Sequence, residues 1–203
     1  MSDGLWVVIG VIIGVIGPLV ARFVWDWYMR PILIIGKDVP QEAENYIHHS
    51  IRIENRGRTA AKNCTSLLTV VGMEKGDVVN RTDRHAYVTT NTYRPIKDES
   101  ICWALQIPLQ TGKAINPAFL TIFPGSTRLV ELCGVWRQSL EMELPSEMGW
   151  ESRRAVLRGN KEYEMELKLF AENVHYDPHK HNRKFKLVPD LQKKDIIIKR
   201  IDC

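Results

Sequence analysis

The densest group of side chains able to do chemistry lies in "HYDPHKH", with His175, Asp177, His179 and His181. Imidazoles two apart on a strand share a face, and a nearby carboxylate could complete a zinc or copper site. Asp-Pro is also turn chemistry, and the segment falls where a hairpin between two strands is expected. A polar hairpin loop outweighs a metal site, and no cofactor is expected. His48 and His49 are adjacent, so on a strand they face opposite ways. His49 is expected to be a hydrogen-bonded rim residue rather than a ligand.

Arg56 and Arg58 flank Gly57 in "IRIENRGRTAAKNC" and could bind an anion. Asn55 and Gly57 are turn residues: glycine tolerates positive φ, and asparagine can bond its own backbone. The arginines are then expected to point to solvent. Glu162, Glu164 and Glu166 alternate with apolar residues, which marks a solvated strand face rather than a catalytic carboxylate pair. Trp103, Trp136 and Trp150 read as core or rim. No Gly-x-Ser-x-Gly, phosphate loop or dinucleotide fingerprint is present. An enzyme is therefore not expected. The four cysteines, Cys64, Cys102, Cys133 and Cys203, form no C-x-x-C motif, which suits free thiols in a reducing compartment.

The C-terminal segment is basic. From His179 to Arg200 there are eight Lys or Arg and two Asp, leaving +6 against +4 for the whole chain. Lys184, Lys186, Lys193 and Lys194 could contact anionic lipid; the plainer reading is a solvated edge that lysines protect from aggregation. A nucleic-acid partner is not expected.

These residues need elements to position them. Of 203 residues, 44% are hydrophobic, which suits one ordinary domain plus an extra segment. That segment is "GLWVVIGVIIGVIGPLVARFVW", without charge from Leu5 to Val20. Its Leu, Ile and Val residues would contribute about −5 kcal/mol to membrane insertion, against ~3 kcal/mol for Arg22. The sequence thus predicts a retained transmembrane helix from Gly4 to Trp25; "MSDG" lacks the positive start of a signal peptide. Gly10 and Gly14 could bring two such helices close. Arg22, Arg30 and Lys37 lie on one flank only, which would place the following domain in the cytoplasm of a single-pass protein of the cell membrane. Residues 1–30 are then an anchor and 31–203 a soluble domain.

That domain shows short runs of period two bounded by Gly, Pro, Asn and Asp. Strands are expected at 31–37, 46–55, 63–72, 101–109, on both sides of the Pro-Gly turn in 118–136, and at 161–173, 183–188 and 195–201. In 161–173, Tyr163, Met165, Leu167, Leu169 and Ala171 should face inward. Residues 73–100 read as a long insertion with an edge strand near "HAYVTT", and 145–159 as a short helix. The expected fold is an all-β immunoglobulin-like Greek-key sandwich preceded by one transmembrane helix.

The strand ending in Asn-x-Gly, the Ala-x-Asn after it, the turn in "IFPGSTRLVEL" and the strand "YEMELKLFAEN" resemble the CARDB-like, cell-adhesion-related sandwiches of bacteria and archaea. The resemblance covers about residues 46 to 188 in scattered pieces. It implies seven Greek-key strands, a binding or spacer role with a protein partner, and no catalytic set. Two expectations follow: a membrane-anchored protein-binding or scaffolding module, or an accessory subunit of a larger membrane complex. An enzymatic or metal-binding domain built on the His175–His181 loop is a third reading.

Overall fold

The computed structural model describes residues 3–74, 96–101, 103, 107–108, 114–115, 119–144 and 155–201. A helix, α1 (Asp3–Met29), leads into strands β1 (Leu33–Glu42), β2 (Tyr46–Asn55) and β3 (Ala61–Val71). Four short strands follow: β4 (Glu99–Ile101), β5 (Ile107–Pro108), β6 (Ala114–Ile115) and β7 (Leu120–Ile122). Next come β8 (Thr127–Trp136), β9 (Glu141–Leu144), β10 (Ala155–Arg158) and β11 (Tyr163–Phe170). A four-residue helix, α2 (Pro178–His181), precedes β12 (Asn182–Asp190) and β13 (Asp195–Ile201).

The strands form two main sheets. One has the order β1-β2-β8-β9-β10; the other runs β13-β12-β11-β3-β4, with β7 also paired to β3. All pairings in them are antiparallel. Consecutive strands β2 and β3 lie in different sheets, and each pairs with a strand reached much later, β8 and β11. The all-β, sandwich-like part of the expected fold is therefore present.

Period two explains the core. In β11, Tyr163, Met165, Leu167 and Leu169 are buried and the residues between them are not. They meet Ile51, Ile53, Val130 and Leu132 of the opposite sheet in one hydrophobic cluster. Trp103 is fully buried there and donates its indole N–H to the Cys64 carbonyl, 3.1 Å away. The Pro-Gly turn forms as expected, with Gly125 at φ 68°. Cys64 and Cys133 are free and buried.

Two expectations need correction. Among the described residues no helix is long and apolar enough to cross a membrane, so the transmembrane part of the fold class does not stand. The side chains of α1 are described at Val11 and from Ile13 onward. Arg22 and Asp26 lie there one turn apart, 3.9 Å between Nε and Oδ2, and both are exposed. Second, Ala155–Arg158 is a strand paired to β9 where the sequence suggested helix. Cross-strand pairing overrides weak local helix preference. Most of the 73–100 insertion, the edge strand near "HAYVTT" and Trp150 lie outside the described residues.

Candidate functional site: a histidine held between two sheets

β1 and β13 are the outer strands of their respective sheets. Between them lies a cavity of about 510 Å³, walled by Pro40, Phe185, Ile196 and Ile198, with Lys37 and Arg200 also lining it. His49 of β2 forms its polar wall. Its Nδ1 is 2.9 Å from Asp38 Oδ2 on β1, and its Nε2 is 3.0 Å from Asp195 Oδ1 on β13. The imidazole is only 3% exposed.

Local sequence explains each placement. His49 falls on the inward face of β2 with Ile47, Ile51 and Ile53. The pairing of β2 with β8 shifts register between His49 and Ser50, and that of β1 with β2 shifts between Ile35 and Asp38. Such bulges re-aim side chains. Asp195 opens β13, where its Oδ1 also accepts the Ile196 N–H at 2.7 Å.

The electrostatics favour an imidazolium. Burial alone would lower the His49 pKa, but hydrogen bonds to Asp195 and Asp38 outweigh it and raise the value to about 9. Asp195 is lowered: burial opposes this, and the bond to His49 carries it. His48, on the other face, is lowered by burial and then by its cationic neighbour. Cys133, which pairs with His49 in register, is fully buried, and burial raises its thiol well above the usual range. A histidine charged at neutral pH, with both nitrogens on carboxylates, has no lone pair for a substrate proton. Held in this way, it fastens β1, β2 and β13 together. Adjacent histidines were legible in the sequence; the two aspartates that hold one of them were not.

The other candidates lie elsewhere. In the His175–His181 loop, Asp177 caps α2: its Oδ1 accepts the His179 N–H at 3.0 Å, while its own N–H reaches His181 Nδ1 at 3.0 Å. His181 is buried, and burial lowers its pKa. Tyr176 stacks on Phe170 at 4.6 Å. The segment is a helical turn, so the alternating-face argument for shared imidazoles does not apply. Among the described residues no group of three His, Cys, Asp or Glu could hold a metal ion.

The Arg56–Arg58 turn receives the end of α1. Asn55 is buried; its Oδ1 accepts the N–H groups of Ile32 (3.1 Å) and Gly57 (2.9 Å), and its amide donates to the carbonyls of Thr59 and Ile122. Thr59 Oγ1 donates to the Met29 carbonyl at 2.6 Å. The Arg58 guanidinium lies 3.6 Å above the Tyr28 ring, and Arg56 pairs with Glu54 at 3.1 Å. Both arginines thus have structural partners, one of them on the helix.

The four lysines that could contact lipid lie on β12 and on the turn after it. Lys184 and Lys186 stand on β12 opposite Glu166 and Glu164 of β11. Lys186 also lies 2.6 Å from Glu162. Lys193 and Lys194 sit in the turn that joins β12 to β13. Gly14 has nothing within 4 Å of the position a Cβ would take, so this half of the Gly10–Gly14 pair faces open space.

No family model matches the chain, and comparison with curated proteins and with solved structures found no match to either.

Proposed function

We propose that the chain is a non-enzymatic β-sandwich that binds or scaffolds another protein, with α1 as the element that docks. One observation carries this reading. Ile13, Val15, Ile16, Leu19, Val20, Phe23 and Val24 are all large, apolar and between 49% and 72% exposed. At 100° per residue these positions fall within about half of the helix circumference and form one wide apolar face. A wide apolar face on a helix is stable only when other apolar groups cover it. The sandwich does not cover it among the described residues; the junction is held by Thr59 and Arg58 at the last turn alone.

The non-enzymatic part is supported by the state of the titratable groups. His49 is locked between carboxylates, and Asp177 and His181 are used in a local cap. The immunoglobulin-like reading is supported by the order β1-β2-β8 in one sheet against β12-β11-β3 in the other. Such sandwiches are rigid supports whose edges and attached segments bind partners. The free thiols of Cys64 and Cys133 suit a reducing compartment.

The same exposed helix favours a second reading, an accessory subunit of a larger assembly in which a partner helix packs on the apolar face of α1. The test is co-purification of the intact chain in mild detergent, compared with a Leu19→Asp, Phe23→Asp variant. The expected result is a stoichiometric partner with the natural chain and its loss with the variant, at an unchanged sandwich melting temperature. Equal recovery of the same proteins with both chains would refute docking through α1.

A further inference from the structure

We propose that His49 is a proton-held bolt between the two sheets, and that its deprotonation frees the start of the edge strand β13 and widens the cavity beside it. The geometry carries this. His49 belongs to β2, Asp38 to β1 and Asp195 to β13, so one imidazole joins the outer strand of each sheet. Both ring nitrogens face a carboxylate oxygen at hydrogen-bond distance, and both can donate only in the imidazolium. A neutral ring keeps one N–H. Its other nitrogen then presents a lone pair to a carboxylate about 3 Å away, two acceptors facing each other across a ring that is only 3% exposed. One carboxylate must withdraw.

Asp195 is the one that yields. Its side chain is 25% exposed against 17% for Asp38. β1 and β13 each pair with a single neighbour, and Asp195 is the terminal pair of its ladder, whereas Asp38 lies inside its own. Asp195 also follows directly on the turn at 191–194. When Asp195 moves out, Ile196, now 2% exposed, loses its cover and the cavity widens along β13.

The charges that face the bolt are few. β1 brings Asp38 and Lys37, β13 brings Asp195 and Arg200, and β8 brings Cys133, neutral because burial raises its thiol. His48 of β2 is on the opposite face, and Arg137 acts on Asp195 from the end of β8. β12 contributes the uncharged Phe185. The two carboxylates in direct contact dominate, which agrees with a titration near 9.

The test is an NMR titration of the full-length chain from pH 6 to 10.5, following the His49 imidazole and the backbone amides of Asp195 to Ile201. In the natural chain the imidazole titrates near pH 9, and the β13 amides shift with the same midpoint while those of β11 stay in place. In Asp195→Asn the asparagine amide donates to a neutral imidazole, so the bolt holds without the proton and the β13 amides stay in place through pH 9. A His49 titration near 6.5, or β13 amides indifferent to it, would overturn the proposal. If Asp195→Asn does not fold, the natural chain alone decides.

Discussion

Asn55 Oδ1 accepts the backbone N–H of Ile32 across 23 residues, fastening the end of β2 to the segment between α1 and β1. The same side chain makes three further hydrogen bonds, to Gly57, Thr59 and Ile122. Asn55→Ala would strand buried donors and acceptors, each costing about 1–3 kcal/mol. A loss of about 3 kcal/mol or more in urea unfolding is expected. Asn55→Asp keeps the two accepted bonds but sets a buried carboxylate oxygen against the Thr59 and Ile122 carbonyls, and should lose at least as much.

Gly57 has no room for a side chain. A Cβ there would lie 2.4 Å from Ile32 N and 2.5 Å from Arg30 O, both backbone atoms. Gly57→Ala should therefore destabilise by more than about 2 kcal/mol, since neither neighbour can rotate away. The contrast is Gly14→Ala, which meets nothing within 4 Å and should leave the melting temperature unchanged.

In β11, Leu167 is fully buried and Glu166 is not. Leu167→Ala should cost about 2–5 kcal/mol, and Glu166→Ala under about 1 kcal/mol. Similar melting temperatures for the two variants would mean that the register of β11 is wrong.

The pH dependence of stability has a defined sign. The His49 pKa rises from 6.5 to about 9 on folding. The stabilisation is complete below pH 6.5 and is lost as pH rises through 9, about 3 kcal/mol in all as an upper figure. Asp195, lowered on folding, acts in the opposite direction and only in acid: its contribution is lost as pH falls below 3.8. The urea midpoint should therefore fall between pH 6.5 and 9.5, and His49→Gln should remove most of that fall.

Some of this was legible in the sequence. The inward face of β11 could be read because one face is buried and one solvated, which forces period two. Asn55 and Gly57 could be read as a turn because their conformations are local. The bolt could not be read, because Asp38 and Asp195 stand 11 and 146 residues from His49 and meet it only through sheet packing. The surroundings of the basic C-terminal segment were hidden for a related reason. Counting charge along the chain leaves out Glu162, Glu164 and Glu166, which the ladder of β11 with β12 sets beside Lys184 and Lys186. Removing those three glutamates as Gln should increase binding to anionic vesicles at low salt. Removing Lys184 and Lys186 should change it little.

The docking role of α1 is tested most directly by photo-crosslinking in intact cells, with a photoreactive residue at position 23 and, as a control, at position 164 on the solvated face of β11. Position 23 should give a discrete protein adduct of defined mass and position 164 none. Adducts to lipid alone at position 23, or the same adduct spectrum at both positions, would contradict a protein-binding sandwich that docks through its helix.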